Sequence, residues 1–211
     1  VQTLGPSHQE DLSGTATTVR TATWMVYLEN DPNTDDEVWT GQGYATGTSP
    51  SYTYTLVDPV SITKFDKAGR ISNAIVSKRS TGSGALASGN TFGQSDWRRW
   101  SVTHYTDEGH VDYTRVYRTI PGSGSGSSGT NYNQTSFAYD SGLGRKNKVT
   151  TPGGTITRMV FNTRGKVVST WVGTNDTGAT DSDPDGSGGG NTMVKVSENE
   201  YDGGSDGGHD P

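Results

Sequence analysis

Residues 139–166 decide the reading of this chain: Tyr139-Asp140-Ser141-Gly142-Leu143-Gly144-Arg145, then Thr151-Pro152-Gly153-Gly154-Thr155, then Phe161-Asn162-Thr163-Arg164-Gly165-Lys166. An aromatic residue is followed by Asp or Asn, a short spacer, Gly and a basic residue. A short segment leads to Pro-Gly-Gly, and an alternating segment leads to the same unit again. The physical logic is local. The aromatic ends a strand, and the Asp or Asn side chain accepts from backbone N–H groups ahead of it. Gly takes the positive φ that the turn demands, and the basic residue starts the return strand. Thr151-Pro152-Gly153-Gly154 closes the opposite end as a tight turn, with Pro152 fixing φ and Gly154 free to take positive φ.

Outward from this stretch the unit recurs. Phe65-Asp66-Lys67-Ala68-Gly69-Arg70 is one copy, Tyr105-Thr106-Asp107-Glu108-Gly109-His110 a weaker one, and Tyr201-Asp202-Gly203-Gly204 the start of another. The aromatics stand 40, 34, 22 and 40 residues apart, so 22 reads as one unit and 40 as two with decay between them. Phe65, Tyr139, Phe161 and Tyr201 are therefore expected at equivalent strand ends, on one side of one sheet. One hairpin cannot bury its own face, so successive hairpins must stack side by side.

The rest of the chain agrees with β-structure. Strict alternation marks residues 21–28, 51–57, 111–118, 155–161, 167–172 and 193–196 as strands. Six leucines against seventeen valines argue against helical bundles. No window carries a helical stripe with caps. The expected fold is all-β, with strands of about 5 to 8 residues and essentially no helix. Asp58-Pro59 and Pro121-Gly122 read as turns. Three low-complexity stretches, 81–93, 122–129 and 181–190, read as insertions between strands. Residues 1–58 show no clear repeat, and residues 59–211 read as degenerate hairpin repeats. The chain reads as a piece of a longer polypeptide.

Composition excludes several classes. No apolar run approaches the ~20 residues needed to cross a bilayer as a helix. A net charge of −6 gives nucleic acid no footprint. The absence of cysteine removes disulfides and thiolate metal sites.

The repeat unit resembles the YD repeat of the Rhs family, whose pattern is Tyr-Asp, two residues, Gly-Arg, a strand, Pro-x-Gly, a strand and Tyr-Asp again. The residues that carry the resemblance are Tyr139, Asp140, Gly144, Arg145, Pro152, Gly154, Phe161, Asn162, Gly165 and Lys166, with Phe65, Asp66, Gly69 and Arg70 as a further copy. The match is good over about residues 135–172, patchy over 60–76 and 102–117, and absent before about residue 59. Phe for Tyr, Asn for Asp and Lys for Arg are departures. The resemblance implies stacked hairpins forming part of a large curved sheet or hollow shell, as in Rhs toxins, insecticidal toxin-complex shells, teneurins and wall-associated proteins. It implies a non-catalytic structural segment of a bacterial extracellular or cell-surface protein, whose partners are flanking repeats or further copies. The alternative is a repeat segment of a filament or adhesin that binds glycan.

Other motifs are weaker. Asp181, Asp183 and Asp185, with Gly186, match the first half of a calcium loop, but position 12 is Thr192 rather than Glu. The same residues would serve a solvated acidic loop. Calcium is the one cofactor that the sequence raises. Asp31-Pro32-Asn33-Thr34-Asp35-Asp36-Glu37 is a poorer version. Trp97-Arg98-Arg99-Trp100 is the densest aromatic and cationic cluster. Trp97 and Trp100 would supply a glycan or interface contact, or close the sheet by packing. Their i, i+3 spacing places at least one outside a regular strand. Gly124-Ser125-Gly126-Ser127-Ser128-Gly129 lacks the flanking strand and helix of a dinucleotide loop. No histidine pair has metal-ligand spacing, and nothing selects two carboxylates for glycosidase chemistry.

Overall fold

The computed structural model describes residues 1–29, 36–186 and 189–201. Twelve strands, all antiparallel, are hydrogen-bonded in chain order into one sheet. They are β1 Gln2–Leu12, β2 Thr15–Leu28, β3 Asp36–Thr48, β4 Ser51–Phe65, β5 Ile71–Ser77 and β6 Trp97–Tyr105. Then come β7 Val111–Tyr117, β8 Tyr132–Tyr139, β9 Lys146–Thr150, β10 Ile156–Phe161, β11 Val167–Gly173 and β12 Val194–Glu198. Helix among the described residues amounts to a single 3-10 turn, Gln94–Asp96. The all-β expectation holds.

Strand length is where the sequence misleads. β5 to β12 run 5 to 9 residues, but β1 to β4 run 11, 14, 13 and 15. Asp58-Pro59 does not turn the chain. β4 passes through it, and the register with β3 jumps from Thr40↔Ser61 to Gln42↔Val57. Residues 58–60 bulge opposite Gly41, and a bulge is where a strand tolerates a proline. The sequence division at residue 58 thus falls inside a continuous strand. Gly5 and Pro6 are absorbed in the same way by a register shift between Leu4 and Ser7.

The chain forms two compact units, residues 1–104 with 115–133, and residues 105–114 with 134–211. The first has a core built by alternation. Ala22 and Trp24 of β2, Trp39 of β3, Leu56, Val60 and Ile62 of β4 and Ile75 of β5 are buried together. Gly41 lies on this face because nothing larger fits. A Cβ there would meet Leu56 Cδ1 at 2.7 Å and Leu86 Cδ2 at 3.2 Å. Leu86 belongs to the 78–96 insertion, which folds over the sheet rather than away from it. Leu56 N–H donates to the Gly84 carbonyl (3.2 Å), and Phe92 sits edge-on to Trp39 with centroids 4.8 Å apart. The insertion is thereby part of the core.

Trp97 and Trp100 both lie in β6 and pack edge to face, centroids 4.9 Å apart. The expectation that one would leave the strand fails because of another bulge. Val76 pairs with Arg99 and Ser77 with Trp97, so Arg98 is extra and the i, i+3 rings meet. Both indoles donate within the chain, Trp97 to the Phe92 carbonyl (3.0 Å) and Trp100 to Asn73 Oδ1 (2.9 Å). Trp100 stacks on Tyr117 at 3.8 Å.

Candidate functional site

The aromatic–Asp–Gly–basic units fold alike. The residue after the aromatic donates its N–H to the carbonyl of the basic residue: Asp66 to Arg70 (2.8 Å), Thr106 to His110 (2.8 Å), Asp140 to Arg145 (2.8 Å) and Asn162 to Lys166 (2.9 Å). The glycine N–H closes back on that same residue's carbonyl, from Gly69, Gly109, Gly144 and Gly165. All four glycines have positive φ, between 65° and 90°, where a side chain would be strained. Asp66 Oδ1 accepts from Ala68 and Arg70 N–H, and Asn162 Oδ1 accepts from Arg164 and Lys166 N–H, all within 3.0 Å. The Thr151–Thr155 turn, carrying Pro152 and Gly154, repeats the geometry with Thr151 in the Asp position.

Each of three hairpins also carries a bulge that the sequence does not announce. The register slips by one residue at Phe65, Tyr139 and Phe161, which makes Ser72, Asn147 and Val168 the extra residues of their strands. Each stands two residues beyond the basic residue of its turn.

In the second unit the turns stack into a ladder, because each basic residue reaches the aromatic of the next turn. The His110 ring lies on Tyr139 at 4.3 Å, the Arg145 guanidinium over Phe161 at 4.7 Å and the Lys166 ammonium over Tyr201 at 4.8 Å. The glycine of the next turn completes the contact. A Cβ on Gly144 would come within 2.8 Å of the His110 ring, and one on Gly165 within 3.4 Å of Arg145 Nη1. Tyr139 and Tyr201 donate their hydroxyls to the carbonyls of Val111 and Val167 (both 3.0 Å), each the residue after the preceding basic one. Tyr139, Phe161 and Tyr201 are therefore equivalent, although Tyr201 lies three residues past β12. The remaining copy, at Phe65, shares the internal turn geometry.

Phe161 cannot make the hydroxyl bond, and its counterpart acceptor is the Lys146 carbonyl. Phe161→Tyr is expected to stabilise the fold by about 1 kcal/mol, read as a higher urea midpoint at unchanged m-value.

Asp140, with Arg145 Nε at 2.6 Å, also accepts from Leu143 N–H at 2.7 Å. The Leu143 N–H and then Arg145 hold its carboxyl below the usual aspartate range. Burial alone would raise Asp66, but the Arg70 N–H and guanidinium outweigh it and lower that carboxyl too.

Asp181, Asp183 and Asp185 do not converge, and no group of three potential metal ligands occurs among the described residues. Asp181 instead ties the insertion to the sheet. It accepts from Ser141 N–H (3.0 Å), the Ser141 hydroxyl (3.1 Å) and Asn147 Nδ2 (2.6 Å). Asp183 accepts from Gly186 N–H of its own loop at 3.4 Å, and Asp183 and Asp185 are both exposed. Asp176 receives both Arg158 Nη1 (2.6 Å) and Lys148 Nζ (2.7 Å). Burial opposes its ionised form, and these two cations overcome that and lower it; Asp181 is lowered first by the Ser141 N–H. Of the weaker acidic stretch, residues 31–35 lie outside the described residues.

These four depressed carboxylates fix the sign of a pH effect. Their contribution is complete above the ordinary aspartate value of 3.8 and is lost as pH falls through the lower folded values. Denaturant melts are expected to show stability flat above about pH 5 and declining below about pH 4.

The turn residues were legible because each type has a local mechanism. Asn147, Lys148, Arg158 and Asp176 were not, since their partners lie up to 34 residues away. No family model matches the chain, and no curated protein matches it either.

Proposed function

We propose that this chain is a non-catalytic structural segment of a large extracellular or cell-surface protein of the Rhs/YD-repeat type, forming part of a β-shell or scaffold. The observation that carries this reading is the ladder: three successive turns, each laying its basic residue on the next turn's aromatic ring. Such a unit has no reason to stop at one copy, because every rung offers the next hairpin its contact. Its partners are flanking repeats or further copies, and the sheet supports this because, among the described residues, β1 and β12 are its terminal strands. β12 is exposed at every residue, including Val194 and Val196, and such an edge is a template for strand addition. No helix among the described residues is long and apolar enough to cross a membrane.

Sedimentation of the 22.4 kDa chain tests the reading. Association and a broad thermal transition are expected, with Val194→Lys and Val196→Lys shifting the chain toward monomer. A wild-type monomer with one sharp transition would contradict it and favour a self-contained β-domain.

A further inference from the structure

Strand register fixes what the outer face of the first unit carries. Trp39, Ile62, Ile75 and Trp100 pair across β3 to β6 on the core side. The row beside it, Met25, Thr40, Ser61, Val76 and Arg99, faces the other way. This face also holds exposed apolar surface, with Met25 37%, Val57 51% and Tyr27 60% exposed.

Charge divides the face in two. On β1 and β4, Glu10 and Asp58 line one concavity with Met25, Tyr27 and Val57. Glu10 has the His8 imidazole beside it at 3.4 Å, and Asp58 accepts from the backbone N–H of Arg79 at 3.0 Å. Neither contact brings a fixed positive charge, so both carboxylates keep theirs. The Val1 ammonium donates to the Met25 carbonyl (2.6 Å) rather than to either acid. On β5 and β6 the sign reverses. Lys78, Arg98 and Arg99 are exposed, and none is in an ion pair among the described residues. The β6 bulge accounts for the two arginines. Trp97 and Trp100 pack together on the core side, and Arg98 and Arg99 between them are both left outside. Lys78 stands two residues past Val76 and prolongs the ladder, its N–H donating to the Asp96 carbonyl (3.0 Å).

Such a face is complementary to itself. A two-fold axis lays the Glu10–Asp58 half of each copy on the Lys78–Arg98–Arg99 half of the other, with the exposed apolar side chains between them. Six strands at ~4.8 Å spacing are ~24 Å across, and with strands of up to ~45 Å the face is of the order of the ~800 Å² that each partner buries in a standard interface. A polymer of one charge sign would be attracted by one half and repelled by the other. We propose that the outer face of β1 to β6 docks a second copy of this chain, sheet face on sheet face. This contact uses a different surface from the β12 edge, so either can hold without the other.

The test is sedimentation equilibrium of the full chain carrying Val194→Lys and Val196→Lys, which weaken the β12 edge equally in every sample. A dimer is expected, about ten-fold weaker in roughly 500 mM salt than in roughly 50 mM. Adding Arg98→Glu and Arg99→Glu makes the face mainly acidic, and adding Glu10→Lys and Asp58→Lys instead makes it basic. Each set alone is expected to weaken dimerisation about ten-fold, and an equal mixture of the two to restore it. All four residues are exposed, so a retained circular dichroism spectrum separates lost docking from lost folding. A monomeric parent chain, association insensitive to salt, undiminished dimerisation in both sets, or a mixture no tighter than either set alone would each overturn the proposal. None of these outcomes bears on the β12 edge, which is read from the effect of Val194→Lys and Val196→Lys themselves.

Discussion

Leu86→Ala is expected to destabilise the first unit by about 3 kcal/mol, although Leu86 lies in a Gly/Ser-rich loop rather than in a strand. Its side chain is 5% exposed and fills the space left by Gly41, against Leu56 and Val60. Removing it leaves a cavity at the point where the 78–96 insertion joins the core. The Arg79 guanidinium, which donates to the Gly84 carbonyl at 3.1 Å, and the Phe92–Trp39 contact hold the remainder of the loop. Hydrogen exchange in the variant should therefore rise first at Leu56 and Gly84, ahead of β2. Leu86→Met should cost less than about 1.5 kcal/mol. A loss in Leu86→Ala within the ±0.5 kcal/mol of an ordinary surface change would show that the insertion does not belong to the core.

The second large effect is expected at Asp176. Arg158 and Lys148 both end on its Oδ2, and the Arg158 side chain is only 11% exposed. Asp176→Ala leaves a half-buried guanidinium and an ammonium without their shared partner. Breaking such a pair from one side costs about 3 kcal/mol. The loss should concentrate in the second unit, because the same connection between β11 and β12 holds the Ser141 turn through Asp181. Asp176→Asn keeps the shape and one acceptor but removes the charge, so it should fall between wild type and alanine. Stability of the alanine variant should also decline less steeply below about pH 4 than that of wild type, since one depressed carboxylate is gone. Guanidinium melts at pH 7 and pH 3 read both effects.

How far the sequence reached depends on the range of the interaction concerned. The turns at Asp66, Asp140 and Asn162 were legible because their partners lie within five residues and the residue types have few alternatives. Alternation located most strands for the same reason. Two things were hidden. Bulges at residues 58–60, Arg98, Ser72, Asn147 and Val168 change which side chains share a face, and apart from Pro59, which marks a turn as readily as a bulge, no residue type signals them; this is why Asp58-Pro59 read as a turn and Trp97 and Trp100 as incompatible with one strand. The tertiary partners of the acidic insertion were the second. Asp181, Asp183 and Asp185 fit half of a calcium loop, yet Asp181 is engaged by Ser141 and Asn147, which lie far away in the chain and emerge only from tertiary pairing.

Each turn of the ladder is expected to be coupled energetically to the next through its basic residue, which lies on the next aromatic ring. The most direct measurement of that coupling is a double-mutant cycle on Arg145 and Phe161, with Arg145→Ala, Phe161→Leu and the pair compared by urea unfolding. A guanidinium held over a ring at this distance is expected to give a coupling energy of about 1 kcal/mol. Losses that add to within about 0.3 kcal/mol would mean that the rungs are neighbours without interaction, and the ladder account would fail.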